Sequence, residues 1–116
     1  MDDESSKLSS AVRDAILDSD VEIVLSVVSI WEIAVKQSLG KLSLSAPLAQ
    51  AVATHRQQNG IQLLPVMLDH VLAVQSLPLH HKDPFDRLLV AQAISDGLTI
   101  ASADPLLSQY SVPIVW

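Results

Sequence analysis

The chain has 116 residues, 7 Lys and Arg against 13 Asp and Glu, a formal net charge of −6, and no cysteine. A hydrophobic share of 49% excludes global disorder, and the length is that of one ordinary domain over 1–116. Without sulfur there are no disulfides, zinc–thiolate centres or cysteine nucleophiles, and the acidic balance argues against a protein that coats DNA through a broad cationic face.

No apolar run approaches the ~18 residues of a membrane span. The acidic start MDDESSKLSS shows neither the basic nor the apolar part of a secretory leader, so a cytoplasmic protein is expected. Leu8, Val12, Ala15 and Ile16 recur at helical spacing and predict a helix over Ser10–Asp18. Val21–Ser26 is short, β-branched and apolar, as suits a strand covered on both faces. A helix opening at Ser29-Ile30-Trp31-Glu32 follows, with Ile30, Ile33, Ala34 and Leu39 as its apolar stripe and Gly40 beyond its end. Ser45 and Pro47 start a third helix (Leu48, Val52) that Asn59-Gly60 closes.

Ile61–Val66 is the next strand, placed near an edge or strand end by Pro65. Asp69 caps a helix carrying Val71, Leu72, Val74 and Leu77, and Pro78 stops it. After the connector Leu79-His80-His81-Lys82, Asp83 caps a helix with Pro84 at its first position, apolar members Leu88, Leu89, Ala91, Ala93 and Ile94, and Gly97 at its end. Leu98–Ala101 is a strand, Asp104-Pro105 begins a short helical turn, and Val112–Val115 is the last strand. Strands separated by helices imply a layered α/β fold with a mainly parallel sheet.

Glu32, Asp83, Asp86 and Asp104 stand apart from the other acids. Glu32 opens a helix after a buried strand, Asp83 and Asp86 bracket another helix start, and Asp104 lies just past a strand end. In a parallel sheet the ends where strands feed helices form one edge, where sites are built. Three carboxylates converging without sulfur select a hard cation such as Mg2+ or Mn2+. Each acid also has a plain structural role open to it. Ser29-x-x-Glu32 fits a capping box, Asp83-x-x-Asp86 fits a helix start, and Ser102-Ala103-Asp104-Pro105 fits a turn. His80 and His81 lack chelating spacing and suit a solvated loop or a substrate contact. His55 and His70 read as surface or half-buried structural residues, and Trp31 and Trp116 as packing. No nucleophile elbow, P-loop or dinucleotide fingerprint is present.

Several stretches resemble the PIN-domain family, and within it the VapC-like toxins of bacterial toxin–antitoxin pairs. They are Ser29-Ile30-Trp31-Glu32-Ile33-Ala34-Val35-Lys36, Leu39-Gly40-Lys41-Leu42, the block from His81-Lys82-Asp83-Pro84-Phe85-Asp86-Arg87 to Ala93, and Ser102-Ala103-Asp104. The similarity runs from about Leu8 to Trp116. It implies a three-layer, Rossmann-like PIN fold and a Mg2+- or Mn2+-dependent endoribonuclease, with an RNA substrate and a cognate antitoxin protein. Glu32, Asp86 and Asp104 match the acids of the family's second, third and fourth motifs. Asp83 would be a neighbouring acid or a helix cap. Ser102 stands where the family often has Thr, and Arg87 and Lys82 would contact phosphate or balance the acids.

The family's first strand, which ends in Asp, has no counterpart before Met1-Asp2-Asp3-Glu4. From that departure we expect weak or no cleavage by this chain. We also expect unpaired edges on the Val21–Leu25 and Leu98–Ala101 strands, covered by a homodimer or a swapped element. The alternative is a catalytically silent PIN fold that binds an antitoxin or a sister subunit. The plainest reading is a small α/β domain whose acids are only caps.

Overall fold

Ser26 both ends a strand and caps the helix that follows. The structure is a computed structural model and describes residues 14, 21–102 and 104–116. The helix expected over Ser10–Asp18 lies outside the described residues except for Asp14, which is helical and exposed. The chain forms two compact units, one built from Glu22–Val66 and the other carrying Met67–Trp116. Together they hold four α-helices and parallel strands among the described residues, the mixed α/β composition of a PIN-like fold.

In the first unit, strand β1 (Val24–Ser26) leads directly into helix α1 (Val27–Ser38). Helix α2 (Leu48–Asn59) and strand β2 (Gln62–Leu64) follow. β1 and β2 are parallel, with Val24 opposite Gln62 and Ser26 opposite Leu64. The Val28 N–H donates to Ser26 Oγ at 3.0 Å, which satisfies one of the unpaired donors of the first turn. The helix therefore starts earlier than its expected opening at Ser29. The expected Ser29–Glu32 capping box gives way to the Ser26 cap, and Glu32 falls in the second turn. Val27 and Val28 concealed this, because β-branched residues read as a continuing strand. Burial decides the matter, since Val28 is fully enclosed. Gly60 ends α2 with φ +62°, a left-handed conformation that glycine adopts without steric penalty.

The second unit contains helix α3 (Leu68–Val74) and helix α4 (Pro84–Asp96). Strand β3 (Ile100–Ala101), a 3-10 turn (Leu107–Gln109) and strand β4 (Ile114–Val115) complete it. β3 and β4 are parallel, with Ile100 opposite Ile114 and Ala101 opposite Val115. The core is Val90, Leu107 and Tyr110, flanked by Leu77, Ile100, Val112 and Ile114. Among the described residues, β1 pairs only with β2 and β3 only with β4.

Helix α3 departs from the sequence expectation. Met67, not Asp69, occupies its cap position, and Val71 and Leu72 are each more than half exposed. The residue that holds this helix is His70, expected at the surface or half buried but 2% exposed. The Met67 N–H donates to His70 Nδ1 at 3.0 Å, so the proton sits on Nε2 and is donated to Asp96 Oδ1 at 3.1 Å. Gln92, itself buried, approaches the same Nδ1 at 3.4 Å. Asp96 is the last residue of α4, where the helix dipole disfavours an anion. The His70 N–H offsets that penalty and ties α3 to α4. Replacing His70 with Ala removes these bonds and opens a cavity. We expect a loss of about 2–4 kcal/mol in urea denaturation of this unit, against less than about 0.5 kcal/mol for the exposed Asp69→Asn control.

Candidate metal centre

The site begins with the cap of α4. Asp83 has extended backbone, and its Oδ1 accepts the N–H groups of Phe85 at 2.8 Å and Asp86 at 3.4 Å. Pro84 occupies the first helical position, where its missing N–H leaves no bond unmade. This start places Asp86 in the first turn. On the other side of the site, the Asp104 N–H donates to Ser102 Oγ at 3.0 Å, and Asp104 Oδ1 accepts from the Leu106 N–H at 2.9 Å. Two successive side-chain turns thus orient the Asp104 carboxylate.

His81 joins the two segments. Its Nε2 lies 3.1 Å from Asp86 Oδ2 and 3.1 Å from Asp104 Oδ2. The three side chains are between 14% and 35% exposed, so the cluster opens to solvent without being loose. One ligand-type atom from each residue lies within 4.8 Å of the others. The Asp83 N–H donates to His81 Nδ1 at 3.1 Å, and the His81 backbone N–H donates to Tyr110 Oη at 3.0 Å. Tyr110 is a core residue, and His80 packs edge-on against its ring at 5.0 Å. The neighbouring histidines therefore do different work: His80 packs, and His81 reaches the acids.

Each residue singled out in the sequence has a definite place. Asp86 and Asp104 meet at His81. Asp83 is the helix cap, and Ser102 braces the turn before Asp104. Lys82 is exposed beside His81. Arg87 is engaged with main-chain carbonyls: its Nη1 donates to Pro78 O at 3.1 Å, and its Nη2 to Val74 O at 3.2 Å and Leu77 O at 3.5 Å. Nη1 also approaches Tyr110 Oη at 3.4 Å. The guanidinium thus closes the C-terminal end of α3, where orphan carbonyls favour a cation. Glu32 belongs to the other unit, on α1, where it pairs with Lys36 at 2.9 Å in the i,i+4 relation. Sequence reasoning missed His81 as a partner of the acids. The clue was its position two residues before the cap Asp83, which lets a ring nitrogen accept the cap's own N–H.

The Leu106 N–H holds the Asp104 carboxyl below the usual carboxylate range. Partial desolvation opposes this, and the hydrogen bond from His81 reinforces it. The oxygen donors of two ionised carboxylates suit a hard divalent cation, so the residues present fit such an ion.

Parallel strands feeding helices, with acids gathered at a helix start and just past a strand, define an α/β protein with a cluster of acids and one histidine that could hold a cation. The PIN domain family matches residues 4–112, and the chain belongs to that family, whose members are generally nucleases and typically bind divalent metals. No curated protein and no solved structure matches the chain.

Two outcomes follow from this geometry. Arg87→Lys keeps the charge but loses the fork that spans several carbonyls. We expect stability to fall by about 1–3 kcal/mol in urea denaturation, whereas a residue used only for phosphate contact would leave it unchanged. Asp104 contributes stability that is fully present above the unfolded-state value of about 3.9 and is lost as pH falls through its lower folded value. A carboxyl NMR titration should place its midpoint below the ordinary range, and Asp104→Asn should flatten the acid limb of the stability profile.

Proposed function

We propose that the chain is a Mg2+- or Mn2+-dependent endoribonuclease of the VapC-like toxin kind, which hydrolyses RNA phosphodiester bonds and is restrained by a cognate antitoxin protein. The observation that carries this reading is the meeting of Asp86 Oδ2 and Asp104 Oδ2 at one ring nitrogen, each 3.1 Å away. The two acids come from separate stretches of a PIN-family chain, one at a helix start and one past a strand end.

Asp86 and Asp104 would hold the ion, and the resemblance adds Glu32 as a third ligand through its motif. The Glu32–Lys36 pair is a partly exposed helix pair and costs little to break. A bound divalent cation would supply charge to the scissile phosphate and make a coordinated water more acidic. The Leu106 N–H keeps Asp104 ionised and aimed. Exposed Lys82 offers a cation for an RNA phosphate, a task for which the carbonyl-bound Arg87 is poorly placed. A homodimer fits the same reading. β1 and β3 each have one ladder partner among the described residues, and strands at a sheet edge recruit others.

Mn2+ calorimetry and RNA cleavage with and without EDTA test the proposal. Saturable Mn2+ binding and EDTA-sensitive cleavage are expected, with Asp86→Asn abolishing both and Glu32→Gln and Asp104→Asn weakening both. Failure of the unaltered chain to bind Mn2+, or cleavage indifferent to EDTA, overturns it. Capture of an antitoxin by a chain that binds no ion would point instead to an interaction module.

A further inference from the structure

His81 has the composition of a metal ligand and the hydrogen bonding of something else. Its ring has two nitrogens, and the structure assigns a partner to each. The Asp83 backbone N–H points at Nδ1 from 3.1 Å, and a backbone N–H can only donate. Nδ1 must therefore present its lone pair, and the neutral ring carries its proton on Nε2. Nε2 lies 3.1 Å from both Asp86 Oδ2 and Asp104 Oδ2, and its hydrogen bond goes to Asp104. To coordinate a cation through Nε2, the ring would have to move its proton to Nδ1. Two N–H groups would then confront each other across the contact with Asp83.

From this we propose that His81 is the positioning residue of the Asp86–Asp104 pair: its single Nε2–H, fixed as a donor by Asp83, holds the two carboxylates together for the ion without entering the ion's ligand set. The inference rests on the metal-site reading above and deepens it. Two ionised carboxylates brought together repel each other, and they come from segments joined by no strand pairing. A shared donor offsets that repulsion and fixes both oxygens against one atom. The donor is itself held in place. The His81 backbone N–H is tied to Tyr110 Oη, and Tyr110 is 4% exposed in the core of the unit. Asp83 therefore sets both parts of the pair. Its carboxylate starts the helix that presents Asp86, and its N–H selects the tautomer of His81. Orienting groups around a metal site act in this way, and their loss typically weakens metal affinity by about 10–100-fold.

The test compares Mn2+ affinity by calorimetry for the unaltered chain, His81→Ala, His81→Gln and Asp86→Asn. The Gln amide N–H can replace the Nε2–H donor, and because its carbonyl oxygen can also reach a hard cation, the tautomer readout separates positioning from ligation. His81→Ala should weaken Mn2+ binding by about 10-fold or more, and His81→Gln should stay within about threefold of the unaltered chain. Long-range proton–nitrogen NMR of the unaltered chain should show a protonated Nε2 and an unprotonated Nδ1, both before and after loading with Mg2+. Because it uses the unaltered chain, this readout stands even if His81→Ala fails to fold. Equal weakening in His81→Gln and His81→Ala, or loss of the Nε2 proton on loading, makes His81 a ligand and overturns the inference alone. Unchanged affinity in His81→Ala overturns it as well. If the unaltered chain binds no Mn2+, the metal-site reading falls, and the role of His81 toward an ion falls with it.

Discussion

Two carboxylates that repel each other sit at one ring N–H, and the rest of the second unit is arranged so that they can. Asp86 arrives there because Asp83 and Pro84 start a helix at that point. Asp104 arrives because a strand ends and two side-chain turns follow. His81 arrives because its backbone is fastened to a buried tyrosine and its ring to the helix cap. None of these supports is a strong interaction in isolation. Neutral hydrogen bonds contribute roughly 1 kcal/mol each, but together they leave the three side chains little alternative.

Tyr110 links the site to the core. Its ring packs with Val90 and Leu107, while its hydroxyl accepts from His81 and lies within reach of Arg87. Arg87 in turn gathers the carbonyls at the end of α3 and the connector that follows. A cation that would otherwise compete for the acids is instead spent on helix-end chemistry. Lys82 is exposed beside His81.

The two histidines that matter in this unit obey the same rule. In His70 and in His81 a backbone N–H occupies Nδ1, which forces the proton onto Nε2, and Nε2 then serves a carboxylate. The surroundings separate their roles. His70 is enclosed and serves one acid at a helix end, so it fastens α3 to α4. His81 is partly open, and its Nε2 lies 3.1 Å from each of two acids that come from separate segments. The same tautomeric constraint yields a structural clamp in one place and a candidate functional one in the other.

Local chemistry in the sequence was enough for the parallel α/β composition, the Asp83–Pro84 start of α4, and the glycine ends after Asn59 and Asp96. Each of these depends on a residue's own backbone preferences. The acids Asp86 and Asp104 were legible because helix starts and strand ends are marked by neighbouring residues. The start of α1 was not, because Val27 and Val28 suit a strand as well as a helix and only the enclosure of Val28 selects between them. Nor were the burial of His70, the diversion of Arg87 to carbonyls or the part played by His81. These depend on which groups lie across the fold from one another. A side chain's type limits the bonds it can make, but only packing in three dimensions decides which partner is there to take them.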